Sequence, residues 1–288
     1  MNYDDKRVSP LEPGAVQQGN QQWWTDHTMS YDWKAPSAHS KFSPAWFDDI
    51  DRRFLAAARL FGDGDQPFAA LMNAQSLRGR RVLEIGCGMG FHTELLARAG
   101  ASVTAIDLSP TSVSATRTRL QQKSIDADVR QGDAEALDFP AASFDMVWSW
   151  GVIHHSSRTG RIVREIERVV RPGGEARVMV YNLEGAPAYV ALVRRYLFGF
   201  WRGRSLDELL WKSTDGFSAR FYTRDSLADL LATFFDSVDV SVLGQEPDVV
   251  PLPARLRRRI LKLIPIERQR ALARKRGAYL FAVARKRG

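Results

Sequence analysis

The residues that most constrain this chain run from Arg81 to Gly90, Arg-Val-Leu-Glu-Ile-Gly-Cys-Gly-Met-Gly. An apolar run of strand length ends there in three glycines spaced two apart. A short apolar run closed by turn residues reads as a buried strand, and the pattern after Gly90 reads as a helix. Strand, glycine loop and helix in that order form a crevice at the carboxyl end of a parallel strand, where open α/β sheets bind nucleosides. Glycine is required where backbone must approach a ligand or turn left-handed. A dinucleotide fingerprint reads G-x-G-x-x-G and holds a pyrophosphate on the helix N-terminus. Here the spacing is G-x-G-x-G with Glu84 two residues before Gly86, which suits a ligand with a ribose and an amino-acid tail but no pyrophosphate.

The segments that follow keep this register. A second strand, Ser102 to Asp107, ends in an acid about twenty residues after the loop, the distance expected of a ribose-binding carboxylate. Ser109-Pro110 opens the next helix, so a capping role for Asp107 stays open. Gln131 to Glu135 closes a third, weaker strand, either as a ligand-facing segment or as an ordinary polar turn. Phe144 to Gly151 is the fourth, with Val152-Ile153-His154-His155 at its carboxyl end. Thr159 to Val170 has a helical apolar stripe, Ile162, Val163, Ile166, Val169 and Val170. Arg171-Pro172-Gly173-Gly174 stops it before a fifth strand, Glu175 to Tyr181. A helix from Thr223 to Phe235, N-capped by Thr223 with Asp225 in its first turn, precedes the sixth strand, Asp236 to Leu243. The final strand is Tyr279 to Ala284.

Glu84 to Gly90 resembles the E/D-x-G-x-G-x-G motif of class I S-adenosylmethionine (SAM)-dependent methyltransferases. The run R-V-V-R-P-G-G-E before an apolar strand is a second signature of that family, and together the matches cover about residues 80–182. Trp148 to His155 and the early Trp23-Trp24…Met29-Ser30-Tyr31-Asp32-Trp33 look like a bacterial sub-group of methyltransferase-11 or ubiquinone/menaquinone-methyltransferase-like type. The resemblance implies an α/β, Rossmann-like fold. Its seven-stranded sheet is mostly parallel, the last strand is antiparallel and next to the sixth, and helices cover both faces. It implies SAM as cofactor, contacted by Glu84, Gly86, Cys87, Gly88, Gly90, Asp107, Leu108, Asp133, Ala134 and Trp150. Asp107 would take the ribose hydroxyls. Asp133 would accept from the adenine amino group, with the Ala134 amide on the ring.

A sulfonium methyl is already electrophilic, so the enzyme must align a nucleophile and exclude water, and needs a base only if the nucleophile must lose a proton. His155, then His154, are the base candidates, because they lie just beyond the fourth strand and imidazole accepts protons near neutral pH. Capping or packing roles for both remain open. Trp24, Tyr31, Tyr181 and Tyr222 are candidate acceptor contacts, with purely structural roles as the alternative. No Cys/His spacing suggests zinc, and the adjacent histidines lack a pair of carboxylates, so no metal site is expected.

Residues 1–78 form an N-terminal tail and helical cap over the cofactor site, and residues 79–288 the catalytic domain. Residues 1–22 are polar and expected to be partly disordered. The cluster Trp23, Trp24, His27, Met29, Tyr31 and Trp33 is a lid candidate or sheet-edge packing. Pro44 opens a helix with Trp46, Phe47, Ile50, Phe54 and Leu55 on one face, and a short helix spans about Pro67 to Ser76. An insertion at 183–220, helical over Tyr189 to Phe198 and then a Gly/Arg-rich turn before Leu206 to Trp211, sits on the substrate side. A basic helical insertion occupies 253–277.

From Arg255 to Gly288 there are 13 Lys or Arg against Glu267 alone, while the whole chain is +8, so the remainder is close to neutral and slightly acidic. The basicity is local. The body shows no basic face of the kind nucleic-acid enzymes carry, and the Asn-Pro-Pro-Tyr type motif of amino-methylating nucleic-acid enzymes is missing. The expectation is therefore a methyltransferase acting on a small organic acceptor in a biosynthetic or secondary-metabolite pathway. An RNA or DNA methyltransferase and a non-catalytic SAM-binding regulator are the alternatives. The apolar positions Leu256, Ile260, Leu263 and Ile264 fall near one helical face that Pro265 should end, either packed on the sheet edge or docking an anionic membrane or an acidic partner. With one cysteine, Cys87, no intrachain disulfide can form, and Cys87 reads as a packing residue. No apolar run reaches membrane-spanning length and no leader pattern opens the chain, so a cytoplasmic location is expected.

Overall fold

A computed structural model describes residues 13–31, 35–62, 66–197, 210 and 214–288. The apolar runs become β1 (Arg81–Ile85), β2 (Ser102–Asp107), β3 (Asp128–Gln131), β4 (Phe144–Trp150), β5 (Val170–Asn182), β6 (Phe221–Tyr222), β7 (Ser237–Leu243) and β8 (Tyr279–Arg285). They form one sheet in the order β3-β2-β1-β4-β5-β8-β7. The first five pair in parallel, and β8 runs antiparallel between β5 and β7. The sheet thus matches the expected architecture, with the two-residue strand β6 added in parallel beside Tyr181 and Asn182.

The helices are α1 (Pro13–Asp26), α2 (Pro44–Ala58), α3 (Ala69–Met72), α4 (Phe91–Arg98), α5 (Pro110–Gln122), α6 (Thr159–Val169), α7 (Ala186–Leu197), α8 (Arg224–Ala232), α9 (Glu246–Val249), α10 (Ala254–Leu261) and α11 (Ile266–Arg276). The period-2 alternation of strands sends neighbouring side chains to opposite faces. Leu83 and Ile85 of β1 pack with Val147, Val178 and Leu280 against Ile162, Val163 and Ile166 of α6 and Leu227 and Leu231 of α8. Val82 points the other way, with Val103, Met146 and Trp148, onto Phe54 of α2, Leu96 of α4 and Leu120 of α5. Burying each such side chain contributes about 1.5–3 kcal/mol, so the two-faced core fixes the register of β1.

Caps set several helix starts. Ser43 accepts from the Trp46 amide with Pro44 next to it, and Ser109 accepts from the Ser112 amide with Pro110 next to it. Thr223 and Ser226 form a reciprocal capping box at the start of α8.

Four expectations are corrected. Residues 13–22 are helical, because the polar face of α1 is held by tertiary hydrogen bonds described below. The Arg171–Gly174 turn lies inside β5, whose pairing with β4 slips between Phe144 and Met146 and whose Gly173 takes φ +73°. The helix before the sheet breaks at left-handed Asn73, leaving α3 and a 3-10 turn. The basic segment forms two helices, and α10 stops at Leu261, ahead of Pro265. Leu256 and Leu263 of its expected packing face stand exposed, while Ile260 and Ile264 pack partly on Leu60, Val249 and Ala273. Trp33, the Gly/Arg-rich turn and most of Leu206 to Trp211 lie outside the described residues.

Candidate functional site

A cavity of about 470 Å³ opens at the carboxyl ends of β1, β2, β4 and β5, where topology predicts it. Its floor is the glycine loop. Gly86 has φ +82° and Gly88 φ +53°, both left-handed. A Cβ on Gly88 would meet nothing within 4 Å and would project into space, whereas one on Gly86 would sit 2.2 Å from Cγ2 of Val152. The bare Gly88 therefore leaves a cradle for a ligand, and Gly86 lets β1 pass the wall of the cavity.

Asp107 anchors this loop. Its Oδ2 accepts from the Gly88 amide and its Oδ1 from the Ser109 amide, each at 2.9 Å. Burial pushes its pKa up, opposed by those amides. A carboxylate offers about four lone-pair sites, so two remain for ribose hydroxyls. Capping and ligand binding are thus compatible in one residue.

Glu84 and Gly90 lie beneath the cavity lining rather than in it. Glu84 is buried and accepts from Thr93 Oγ1 at 2.5 Å. Burial first, then the Asp107 charge, pushes its pKa up to about 8. Gly90, φ +76°, N-caps α4 and allows contact with Thr116 and Arg119, where a Cβ would come within 3.1 Å. Arg119 is itself buried, with Nε donating to Glu94 at 2.8 Å and Nη1 to Asp51 at 2.8 Å. This ion triad braces α2, α4 and α5 under the loop. Cys87 lines the cavity, but burial raises its thiol pKa well above normal, so it is inert as a nucleophile.

Leu108 and Ala134 also line the cavity. Asp133 does not: its Oδ1 accepts from the Glu135 amide at 2.8 Å and from Gln17 Nε2 of α1 at 2.7 Å. Helix α1 lies across this side of the crevice. Asn20 donates to the His155 carbonyl at 2.8 Å, Gln21 to the Leu108 carbonyl at 3.3 Å, and Ser109 to the Trp24 carbonyl at 3.2 Å. Asn20 Oδ1 is buried without a hydrogen-bond partner among the described residues, and it belongs to the cavity wall.

The other half of the cavity is aromatic. Trp150 leaves the glycine loop behind and packs with Phe61, centroids 5.6 Å apart, and Phe68, 5.1 Å. Tyr31 stacks on Phe54 at 4.7 Å, and Tyr279 meets Phe61 edge-on at 5.8 Å. Tyr181 lies 6.1 Å from Tyr279 and 6.0 Å from His155. Burial pushes the Tyr31, Tyr181 and Tyr279 hydroxyls far above their ordinary pKa, with the Asp215 charge adding to it. These phenols stay protonated donors.

His155 faces this half, edge-on to Trp24 at 5.2 Å. Its Nδ1 lies within hydrogen-bond distance of the Ser218 carbonyl, which can only accept, so Nδ1 carries a proton and Nε2 is the nitrogen that can act as a base. Gly216 makes room for it: a Cβ there would come 2.7 Å from His155 Cε1. His154 and Tyr222 lie outside the cavity lining. His154 is fully buried beneath its neighbour, and burial holds its pKa well below normal. Tyr222 donates to Thr159 Oγ1 at 2.9 Å and packs, partly buried, against the core.

Sequence reasoning missed Gln17 and Asn20 on a segment read as tail. It also missed Phe61, His92, Gln245 and Tyr279, which reach the cavity from segments far apart in sequence.

Residues 83–178 match the family described as Methyltransferase domain. A ubiquinone biosynthesis O-methyltransferase of Xanthomonas axonopodis pv. citri is 32% identical over 168 residues, covering 54% of this chain and 69% of that one. One of the same name from Methylocella silvestris is 32% identical over 170 residues, covering 58% and 61%. The chain therefore spans between about three fifths and seven tenths of the length of these relatives. Among solved structures, a geranyl diphosphate C-methyltransferase from Streptomyces coelicolor A3(2) superposes with TM-score 0.56 at 15% identity, covering 97% of this chain and 100% of that one. The cyclase SpnF gives TM-score 0.56 at 19% identity, covering 94% and 96%. At these identities the two structures share the fold alone.

The fold and site define a Rossmann-like nucleoside-binding α/β protein. The chain belongs to the SAM-dependent methyltransferases. SAM is the cofactor of this family, and the residues present fit it: an open cradle over Gly88, spare acceptor capacity on Asp107, and the unpartnered Asn20 oxygen.

Proposed function

We propose that this protein transfers a methyl group from SAM to a hydroxyl oxygen of a small, largely aromatic or apolar acceptor in a biosynthetic pathway, working in the cytoplasm. The observation that carries the reading is the aromatic half-cavity of Phe61, Trp150, Tyr181 and Tyr279 set against His155, whose Nδ1 contact with the Ser218 carbonyl makes Nε2 the proton acceptor. The O-methyltransferase names of the 32%-identical relatives support the choice of oxygen. When bound, the cofactor supplies a strongly electrophilic methyl group. Asp107 holds the ribose, and Ala134 and Leu108 flank the base. The aromatic walls hold the acceptor ring and exclude water, and His155 accepts the hydroxyl proton as oxygen attacks.

The test is a methylation screen of phenols, catechols and primary amines of similar size, read by release of S-adenosylhomocysteine. Transfer to phenolic oxygen is expected. His155→Ala should lower that turnover about 100-fold or more with cofactor affinity unchanged, in the usual range for a general base. Transfer to amines alone refutes the oxygen assignment, and a loss of only a few-fold in the variant refutes the base.

A further inference from the structure

Among the described residues, every large apolar side chain that stands exposed falls in two stretches. Tyr189, Val190 and Val193 project from α7, and Leu252, Leu256, Leu263 and Ile266 from the segment around α10. Leu263 is 83% exposed and Leu256 47%. Isolated exposed leucines are ordinary, but a confined set of them points to an interaction surface. Here they alternate with Arg255, Arg258, Arg259, Lys262 and Arg268, all exposed. Arg255, Arg259 and Lys262 make no ion pair with any described residue, in contrast to Arg257, which reaches Glu246 and the Leu252 carbonyl.

The placement of this surface matters as much as its composition. The segment 244–278 joins the carboxyl end of β7 to the start of β8, and both junctions reach the cavity, through Gln245 and Tyr279. Helix α7 follows the carboxyl end of β5 and touches α9, which in turn packs on α10 and α11. Both exposed stretches therefore stand on the side of the sheet where the aromatic half of the cavity lies.

We propose that this face docks on an anionic lipid bilayer, with Leu256 and Leu263 entering the interface and the arginines and Lys262 pairing with lipid phosphates. Arginines alone would suit any polyanion. The exposed leucines among them favour a surface that can take up apolar side chains, and a bilayer does so without a matching pocket. Docking in this pose would present the aromatic half-cavity to acceptors dissolved in the membrane. The proposal does not rest on the acceptor atom or on His155, and its test measures no turnover.

The test is co-sedimentation of the full chain with vesicles of phosphatidylcholine alone and of phosphatidylcholine and phosphatidylglycerol in equal parts. Binding to the anionic vesicles is expected at low salt, with release at high salt as screening sets in. Replacing Arg255, Arg259 and Lys262 together by Gln should lower the partition coefficient by roughly 100-fold, since each basic residue near an anionic surface contributes about a factor of five. Leu256→Ser with Leu263→Ser should weaken binding separately, at unchanged charge. S-adenosylhomocysteine binding by both variants controls for folding. Equal recovery of the wild-type protein in the supernatant with both vesicle types overturns the proposal. So does anionic-vesicle binding that survives the charge substitutions. Binding that the charge variant loses and the serine variant keeps in full overturns the entry of Leu256 and Leu263 into the interface.

Discussion

Gly86 and Gly88, two of the three left-handed glycines of the loop, should respond to the same substitution in opposite ways. Alanine at a left-handed position costs about 1–2 kcal/mol. At Gly88 that is the whole cost in the unliganded protein, because the added carbon meets nothing within 4 Å. At Gly86 the carbon falls 2.2 Å from Cγ2 and 3.2 Å from Cβ of Val152, a β-branched side chain with little freedom to rotate. Overpacking of that kind adds about 1–3 kcal/mol, for a total near 2–5 kcal/mol. At about 2 °C per kcal/mol for a chain of this size, Gly86→Ala should lower Tm by roughly 4–10 °C and Gly88→Ala by roughly 2–4 °C. Cofactor affinity should reverse the order of damage. The Gly88 methyl occupies the cradle, so S-adenosylhomocysteine binding by titration calorimetry should weaken about tenfold or more, in line with overpacking a snug contact. Val152→Ala should rescue about 1–2 kcal/mol of the Gly86→Ala loss, as expected for neighbours in contact. The reasoning fails if Gly88→Ala lowers Tm as much as Gly86→Ala, or if it binds the ligand like wild type.

Three other outcomes follow from buried charge. Arg119→Met leaves Asp51 and Glu94 facing each other without their cation, and should cost about 3–5 kcal/mol in urea unfolding at pH 7; a loss below about 1 kcal/mol would deny the triad its bracing role. Burial, then the Arg119 charge, holds His92 at about 3 against an ordinary 6.5. The unfolded chain binds the extra proton between those values, so stability falls as pH drops through that window, and His92→Phe should flatten the slope measured between pH 4 and 6.5. Glu84, raised from 4.5 to about 8, has the opposite sign: the folded state keeps the proton, so its contribution is lost as pH rises from 4.5 to 8. Glu84→Gln should remove that decline; an unchanged pH profile would place the proton elsewhere.

The sheet was legible because its signals are local. Leu83, Val147 and Val178 sit in runs bounded by glycine, proline or acids, and parallel strands buried on both faces must be apolar throughout. The glycine loop and Asp107 were legible for the same reason, since strand end, loop and acid lie within some twenty residues. Helix α1 was not. Its Gln17, Asn20 and Gln21 read as solvated tail, and their hydrogen bonds to Asp133, His155 and Leu108 span 87 residues or more. The roles of His154 and His155 were likewise unreadable as a pair. Adjacent residues in a 3-10 turn point in different directions, and only the fold decides that one faces the cavity while the other is buried. Glu84 and Gly90 belong to the motif without reaching the cavity, because a motif records everything the loop needs, including what braces it from below.

The position of β8 sets the order in which this protein can be assembled during synthesis. Among the described residues, strand β7 pairs with β8 alone, and β5 is flanked by β8 through Glu175↔Arg285 to Tyr181↔Tyr279. About 100 residues separate the end of β5 from the end of β8, so at 5–20 residues per second the ribosome leaves the edge of β5 bare for roughly 5–20 s. The glycine loop and its strands are complete throughout that interval, but the wall that carries Tyr279 is not. A nascent chain stalled before residue 279 would hold a cradle open on one side and offer a long apolar strand edge to any neighbour, the condition under which strands pair between molecules.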